Sequence, residues 1–456
     1  MLDLSNNILS VLPSSIEELK LLCYLDLSRT EIEVLPNSIC NLYNLQTLKL
    51  LGCHWFFKLP EDLGKLVNLR HLELDDIFWF KSSTLLPNLT SLQNLHAFQV
   101  GRKSGYGIEE LKNMAYLTGT LHISKLENAV NAGDAKLNEK KNLDKLVFEW
   151  SIRGVHPQGL SDEETLLVDL QPHSNLTELQ ILNYMGNNFP NWIAGGQLQN
   201  LQTLTLNGCT GCKILSFAQI PCLHTLNIKR MPELEKWSDR TCLSLYRLKI
   251  SCCEKLSELP QHFFNLGVMK IKRCHSLKSL PVTPSLEFLI LDDNPVLEDL
   301  NEQAMLVITQ SDQGHNITEP KPTFSDLLEM KIINCPKLQA LPEFFAPQKR
   351  EISVLKSLGT KGTLKSLNSL KDLQIEDCPS LLSFPEDGLP NSLQHLRIQD
   401  CPSLTQQCGT EDVQGPEWTK ISHIPDWETD FIRSQNPPKK AHSATWYRPF
   451  CCSRGE

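Results

Sequence analysis

Leucines recur along this chain at short fixed intervals, as Leu22-x-x-Leu25-x-Leu27, Leu45-x-x-Leu48-x-Leu50 and Leu69-x-x-Leu72-x-Leu74. Their middle leucines stand at 25, 48 and 72, steps of 23 and 24. Within each segment the alternation of leucine with other residues predicts a short strand that buries one face. The return path is also legible in Leu12-Pro13-Ser14-Ser15-Ile16, Leu35-Pro36-Asn37-Ser38-Ile39 and Leu59-Pro60-Glu61-Asp62-Leu63. Proline cannot donate to a sheet ladder but suits the first turn of a helix, and Ser14-x-x-Glu17 has capping-box spacing. Each Leu-Pro is therefore expected to open a short convex helix or 3₁₀ turn.

The frame continues with middle positions at Leu95, Leu121, Leu146, Leu179, Leu204, Leu226, Leu248, Met269, Leu289, Met330, Leu373 and Leu396, which makes fifteen units plus a partial one at Leu2. A period of this length is that of leucine-rich repeats, in which each unit is one parallel strand and a returning segment. Such a unit cannot bury its apolar face alone, so stacked neighbours share one core. The predicted fold is an α/β solenoid, curved, with strands on the concave face and helix, 3₁₀ or irregular chain outside. At about 4.8 Å per strand, fifteen units span an arc of roughly 70 Å. The solenoid is expected over residues 1–404, with loops near 151–165, 301–325 and 345–366 where the steps lengthen, and its C-terminal end over 405–430. The tail at 431–456, with Asn436-Pro437-Pro438-Lys439-Lys440, lacks periodicity and reads as disordered. Met1 opens inside a repeat, so the first unit is expected to expose an apolar edge, as in a fragment, a truncated chain, or a chain capped by another protein.

Composition alters this picture little. A chain of 456 residues would ordinarily divide into two or three domains, but the repeat absorbs it into one elongated body. Fourteen of the first 50 residues are leucine, spread too evenly for a membrane span, and no signal-peptide pattern follows Met1. The 44 Lys and Arg against 53 Asp and Glu give a net charge of -9, which removes the usual driving force for nucleic acid binding.

Of the 16 cysteines, Cys53, Cys209, Cys253, Cys274, Cys335, Cys378 and Cys401 each follow the last apolar strand position by three residues, where other units place Asn7, Thr30 or Asn294. A small donor there can reach a neighbouring carbonyl, so these thiols are expected to be buried and inert. Cys209-x-x-Cys212 has no second pair to complete a metal site, and no cofactor or metal is expected. Cys451-Cys452 could carry lipid only as a guess, and a reduced intracellular setting, cytoplasmic or nuclear, fits best. Three sequons begin at Asn88, Asn175 and Asn316, but Asn44, Asn68, Asn142 and Asn200 hold the same slot as Asn175 before a strand leucine, so Asn175 reads as a repeat residue.

A search for catalytic constellations returns none. There is no G-x-x-x-x-G-K-[ST], G-x-G-x-x-G, H-E-x-x-H or G-x-S-x-G. Gly101-Arg102-Lys103-Ser104-Gly105-Tyr106-Gly107 reads as a turn, and Asp75-Asp76, Glu163-Glu164 and Asp292-Asp293 as solvated loops or strand exits. A solenoid binds through the outward residues of its strands. Early units offer Asp26, Glu73, Asp75 and Asp76, whereas three later ones offer Lys229, Arg230, Arg247, Lys249, Lys270, Lys272 and Arg273. Clustered cations steer an acidic partner, so reversing Lys249, Lys270 and Lys272 to Glu is expected to weaken binding and its salt dependence.

These residues resemble the repeat region of plant intracellular nucleotide-binding disease-resistance proteins of the coiled-coil class. The stretch from Leu22 to Leu74 is similar to that family's opening repeats. More specific are Phe98-Gln99-Val100-Gly101 with Ile108-Glu109-Glu110-Leu111, then Leu126-Glu127-Asn128-Ala129-Val130, Leu146-Val147-Phe148-Glu149-Trp150-Ser151, Leu170-Gln171-Pro172-His173-Ser174 and Phe189-Pro190-Asn191-Trp192-Ile193. Trp418-Thr419-Lys420-Ile421-Ser422-His423-Ile424-Pro425 is similar to its C-terminal end, and the likeness covers roughly residues 1–430. The family's coiled coil and phosphate-loop module are not in this sequence, so its nucleotide exchange does not carry over. The resemblance implies a non-enzymatic recognition module that senses pathogen effectors or modified host proteins and restrains a nucleotide-binding switch. Two other readings remain at this stage: a general scaffold such as a small-GTPase-binding protein, and an extracellular receptor or inhibitor. The unit at Leu204 departs from the pattern, with Ile214-Leu215-Ser216 in place of Leu-Pro, while Leu259-Pro260 and Leu280-Pro281 restore it.

Overall fold

The computed structural model describes residues 1–75, 89–102, 107–152, 160–217, 220–239, 241–298, 327–338, 344–345, 361–362, 368–385, 388–409 and 414–430. The expected loop at 301–325, residues 346–360 and 363–366 of the one expected at 345–366, the tail from 431 with Cys451 and Cys452, residues 103–106, and Asn88, Asn316 and Asp76 lie outside the described residues. Within the segment expected as a loop near 151–165, Leu160–Asp169 forms an α-helix, α1.

The repeat strands build two parallel sheets. The first holds β1 (Leu2–Asp3), β2 (Tyr24–Asp26), β3 (Thr47–Leu50) and β4 (His71–Leu74) in that order. The second is thirteen-stranded and runs in chain order through β5 (Ala97–Gln99), β6 (Thr118–Ser124), β7 (Asn142–Glu149), β8 (Glu178–Leu182), β9 (Thr203–Asn207), β10 (Thr225–Lys229), β11 (Arg247–Ser251), β12 (Val268–Lys272), β13 (Phe288–Asp292), β14 (Glu329–Ile333), β15 (Asp372–Glu376), β16 (His395–Gln399) and β17 (Asp426–Glu428). The middle residues Leu121, Leu146, Leu179, Leu204, Leu226, Leu248, Met269, Leu289, Met330, Leu373 and Leu396 pair directly, each with the next. Trp427 continues the row against Leu396. These residues form one buried file, and each fully buried leucine stabilises the stack by about 1.5–3 kcal/mol. A solenoid of leucine-rich repeats, with the strands on its concave face, is thus the observed architecture.

One strand departs from the predicted frame. On the β4 side Asn94 pairs with His71, which keeps Leu95 level with Leu72. On the other side Ala97 pairs with His122 and Phe98 with Ile123, which sets His96 level with Leu121 and shifts the frame by one residue. The slip occurs because Leu95, Ala97, Phe98 and Val100 are all buried, so no single alternation is imposed. The two sheets meet at this seam. The Asn94 side chain accepts from the Leu72 backbone N–H at 3.0 Å and donates to its carbonyl at 3.5 Å, replacing a strand peptide with a side-chain amide.

Besides the α-helical return at Leu160–Asp169, two kinds of return path recur. Ser14–Glu18, Asn37–Asn41 and Glu61–Lys65 are 3₁₀ helices, each begun by its Leu-Pro proline as N-cap. The Ser14–Glu17 capping box does not form, because Pro13 holds the N-cap place and Glu17 accepts from Asn41 Nδ2 at 2.6 Å in the next repeat. The units that follow β9 to β12 return in extended form instead. Ile214–Leu215 pairs in parallel with Lys236–Trp237, and His262–Phe263, just after Leu259-Pro260, pairs with Thr241–Cys242 and bridges to Val282 beyond Leu280-Pro281. The middle positions at 204, 226, 248, 269 and 289 are only 20 to 22 residues apart, and an extended return is the shorter route. At the first unit Leu2, Leu4 and Leu9 are partly buried against the core, while Met1, Ile8 and Val11 are exposed.

Side-chain ladders satisfy the backbone at both ends of the strands. At the exit, Thr30 Oγ1 donates to Leu27 O at 2.7 Å, Cys53 Sγ to Leu27 O at 3.1 Å, Cys209 Sγ to Ile181 O at 3.6 Å and Asn294 Nδ2 to Ile271 O at 3.2 Å. All seven cysteines expected in this slot are buried and free. Burial pushes Cys209 and Cys253 up to about 12 and Cys335 to about 11, so these thiols stay protonated. Cys212 is likewise buried, raised to about 11, and donates to Ile214 O. At the strand start, Asn44, Asn68, Asn175 and Asn200 donate to Lys20 O, Tyr43 O, Lys141 O and Ser174 O, which gives Asn175 the structural role read from its repeat slot.

Candidate interaction face

Side chains alternate along each strand, so the outward positions of successive strands form rows across the concave face. One row, at the middle outward position, runs Thr205, Asn227, Lys249, Lys270, Ile290, Lys331 and Gln374. Beside it run Thr225, Arg247, Val268, Phe288, Glu329 and Asp372. Five of the seven cations singled out in the sequence occupy such outward positions: Lys229, Arg247, Lys249, Lys270 and Lys272.

Arg230 and Arg273 do not. They sit past the strand ends in the left-handed region, with φ of 49° and 54°, and belong to the exit turn rather than the concave face. The turn repeats along the molecule: Arg29, Gly52, Gly208, Cys252, Asp293, Asn334, Asp377 and Asp400 share this conformation, each just before a buried ladder residue. It swings the side chain to the rim. There Arg230 Nε donates to Asn207 Oδ1 at 3.0 Å, and Arg273 Nε lies 3.6 Å from Asp293.

Neutralisation sorts the concave cations further. Lys272 pairs with Asp292 at 2.8 Å. Lys229, Arg247, Lys249 and Lys270 make no ion pair with a carboxylate among the described residues. Lys249 and Lys270 are direct cross-strand partners. Burial, then the charges of Lys270, Arg247 and Lys229, push the Lys249 ammonium below its usual range. Lys270 is lowered by burial and by the cations around it, against the opposing pull of Glu329. The early acidic residues are instead occupied. Asp26 accepts from Tyr24 Oη at 3.1 Å and from Ser28 N at 2.9 Å, Glu73 pairs with Lys49 at 3.1 Å, and both Asp75 oxygens accept from Gly52 N.

Two residues at this face escape the charge map: Phe288 and Ile290, half-buried on outward positions beside Lys270 and Val268. The unbroken apolar run from Phe288 to Leu291, where other strands alternate, is the signal that marks them. A platform completes the strand-start rim. The Tyr246 ring stacks on His224 at 5.0 Å, lies across Gly267, and its hydroxyl donates to Glu287 at 3.2 Å. A Cβ at Gly267 would come within 2.2 Å of that ring, so only glycine admits this crossing.

Among the described residues no group of three or more His, Cys, Asp or Glu side chains is placed to hold a metal ion, and no helix is long and apolar enough to cross a membrane. The arrangement offers charge and shape over many strands, which suits binding a macromolecular surface.

Residues 108–231 match the family described as R13L1/DRL21 LRRs. A disease resistance protein of Arabidopsis thaliana is 38% identical over 246 residues, covering 52% of this chain and 17% of the relative. Another from the same plant, disease resistance RPP13-like protein 1, is 30% identical over 422 residues, covering 88% of this chain and 36% of the relative. The chain therefore spans only about a sixth to a third of the length of these curated relatives. Among solved structures, a leucine-rich-repeat protein of Leptospira interrogans is similar at 19% identity and a TM-score of 0.41, covering 94% of this chain and 83% of that one.

Proposed function

From the premise that this chain carries the leucine-rich-repeat region of plant disease-resistance proteins, we propose that it is a non-enzymatic recognition module that docks an acidic protein partner on its concave cations. The partner is a pathogen effector, a guarded host protein or a nucleotide-binding module that the repeats restrain. The observation that carries this reading is the group Lys229, Arg247, Lys249 and Lys270 on three adjacent strands, without a carboxylate partner among the described residues. Like charges held together raise the free energy of the unbound face, and an approaching carboxylate relieves it. Such a field also speeds and orients encounter. The free thiols of the described cysteines fit a reducing, cytoplasmic location.

The test uses the full chain and a labelled glutamate-rich peptide, with a lysine-for-glutamate peptide as control, followed by fluorescence anisotropy across a salt series. The glutamate peptide should bind more tightly than the control and weaken as salt rises, and Lys249→Glu with Lys270→Glu should abolish the preference. Equal binding of both peptides to the natural chain would overturn the reading.

A further inference from the structure

We propose that the partner segment carries a bulky apolar side chain directly beside its carboxylates, seated on Phe288 and Ile290. This rests on the reading of the cationic face as the dock and adds the part of the ligand that charge does not specify.

Three observations carry it. First, the run of cations without a carboxylate partner is broken: the middle row passes from Lys249 and Lys270 straight to Ile290, and the neighbouring row from Arg247 through buried Val268 to Phe288. Second, Phe288 and Ile290 stay half-buried on the concave surface, so a docking side chain would remove further apolar area from water at the same place where the charges meet. Third, the next cation beyond them is already answered. Lys331, which follows Ile290 in the middle row, pairs with Glu329 on β14 at 2.7 Å. A ligand carboxylate set there would have to compete with Glu329 for Lys331. The ligand is therefore polarised along the solenoid axis, acidic over β10 to β12 and apolar over β13.

Strand spacing of about 4.8 Å places the apolar contact roughly 5 Å from Lys270 and roughly 10 Å from Lys249. An extended segment advances about 3.3 Å per residue, so the acids should stand about one to three residues from the apolar side chain.

The test measures binding of two labelled peptides to the full chain, identical except that a phenylalanine beside paired glutamates is serine in the second. The phenylalanine peptide should bind about tenfold more tightly. Ile290→Thr, which keeps a β-branched residue on the strand, should erase that advantage while leaving the serine peptide's affinity and the melting temperature unchanged. Comparing the peptides on the natural chain requires no variant to fold. Equal affinity for the two peptides, or an advantage that survives Ile290→Thr combined with Phe288→Ser, overturns the inference while leaving the charge reading intact. Loss of preference for the serine peptide over its lysine control overturns both. Self-association in sedimentation that Ile290→Thr disrupts would assign the patch to a second copy and overturn it as well.

Discussion

Lys49 on β3 and Lys249 on β11 occupy the same slot of the repeat, one residue beyond the buried middle leucines Leu48 and Leu248, yet their electrostatic states are opposite. Lys49 faces Glu73 across the ladder and Asp26 on its other side, and the hydrogen bond it donates to Glu73 raises its ammonium above the usual range. Lys249 faces Lys270 and Asn227, and burial with neighbouring cations lowers it. The repeat determines where a side chain points, while the strands on either side decide whether its charge is satisfied. A module can thus keep one part of its face internally compensated and leave another open to a partner without changing the fold.

The sharpest check on that equivalence lies beneath the two lysines. Leu48 and Leu248 are both fully buried, so Leu48→Ala and Leu248→Ala should each cost about 2–5 kcal/mol, read by urea denaturation. A large loss at one site and little at the other would show that the slots are not equivalent. Next in size is the exit ladder. Asn294→Ala removes the acceptor for Cys274 N at 3.1 Å and the donor to Ile271 O, for an expected loss of about 1–3 kcal/mol, and Asn294→Cys should recover part of it because thiols serve neighbouring units.

The buried thiols then predict a pH dependence. Burial holds Cys209 and Cys253 above the ordinary thiol range, so above about pH 8.5 the unfolded chain gives up protons that these two folded thiols keep, and their contribution to stability falls as pH climbs towards 12. Each thiol contributes at most about 1.4 kcal/mol per pH unit, and Cys209→Ser should flatten the slope accordingly. Lys140 acts in the opposite sense. Buried with Nζ donating to Leu111 O at 2.7 Å and Met114 O at 3.1 Å, it is pushed down to about 8 by burial, so its contribution rises with pH between about 8 and 10.4. Lys140→Met should make the alkaline decline steeper. The smallest effect returns to the lysines themselves. Lys49→Met should lose up to about 1 kcal/mol with its ion pair, whereas Lys249→Met should be neutral or stabilising, since it relieves repulsion. A loss of equal size at both would break the comparison.

The file of middle residues was legible because a buried row of like side chains must recur at the repeat period. Trp427 was missed since a tryptophan in that slot breaks the leucine signature, although it sits in the same register. The slip at Leu95 was hidden because consecutive apolar residues satisfy two frames equally. Arg230 and Arg273 were assigned to the concave face because alternation was carried one residue past the strand, where the left-handed turn ends it. Which cations lack a partner could not be read from one strand at a time, because Asp292 answers Lys272 from 20 residues away while nothing comparable answers Lys249 among the described residues. The apolar pair Phe288 and Ile290 stands in the sequence as an unbroken run with Leu289 and Leu291, which alternation of residue types alone does not divide between the two faces.

The seam at Asn94 has a mechanical consequence. Everywhere else in the two sheets neighbouring strands are joined by runs of paired backbone residues, but between β4 and β5 the described residues give one isolated bridge, backbone bonds from Gln93 and Asn94 to Arg70 O, and one side-chain amide. Under tension applied between its ends, the molecule should part there first, releasing β1–β4 as a block at a lower force than any later rupture. Asn94→Ala should lower that force while leaving subsequent steps in an optical-tweezers trace unchanged, so that one side-chain amide tunes the weakest link of the spring.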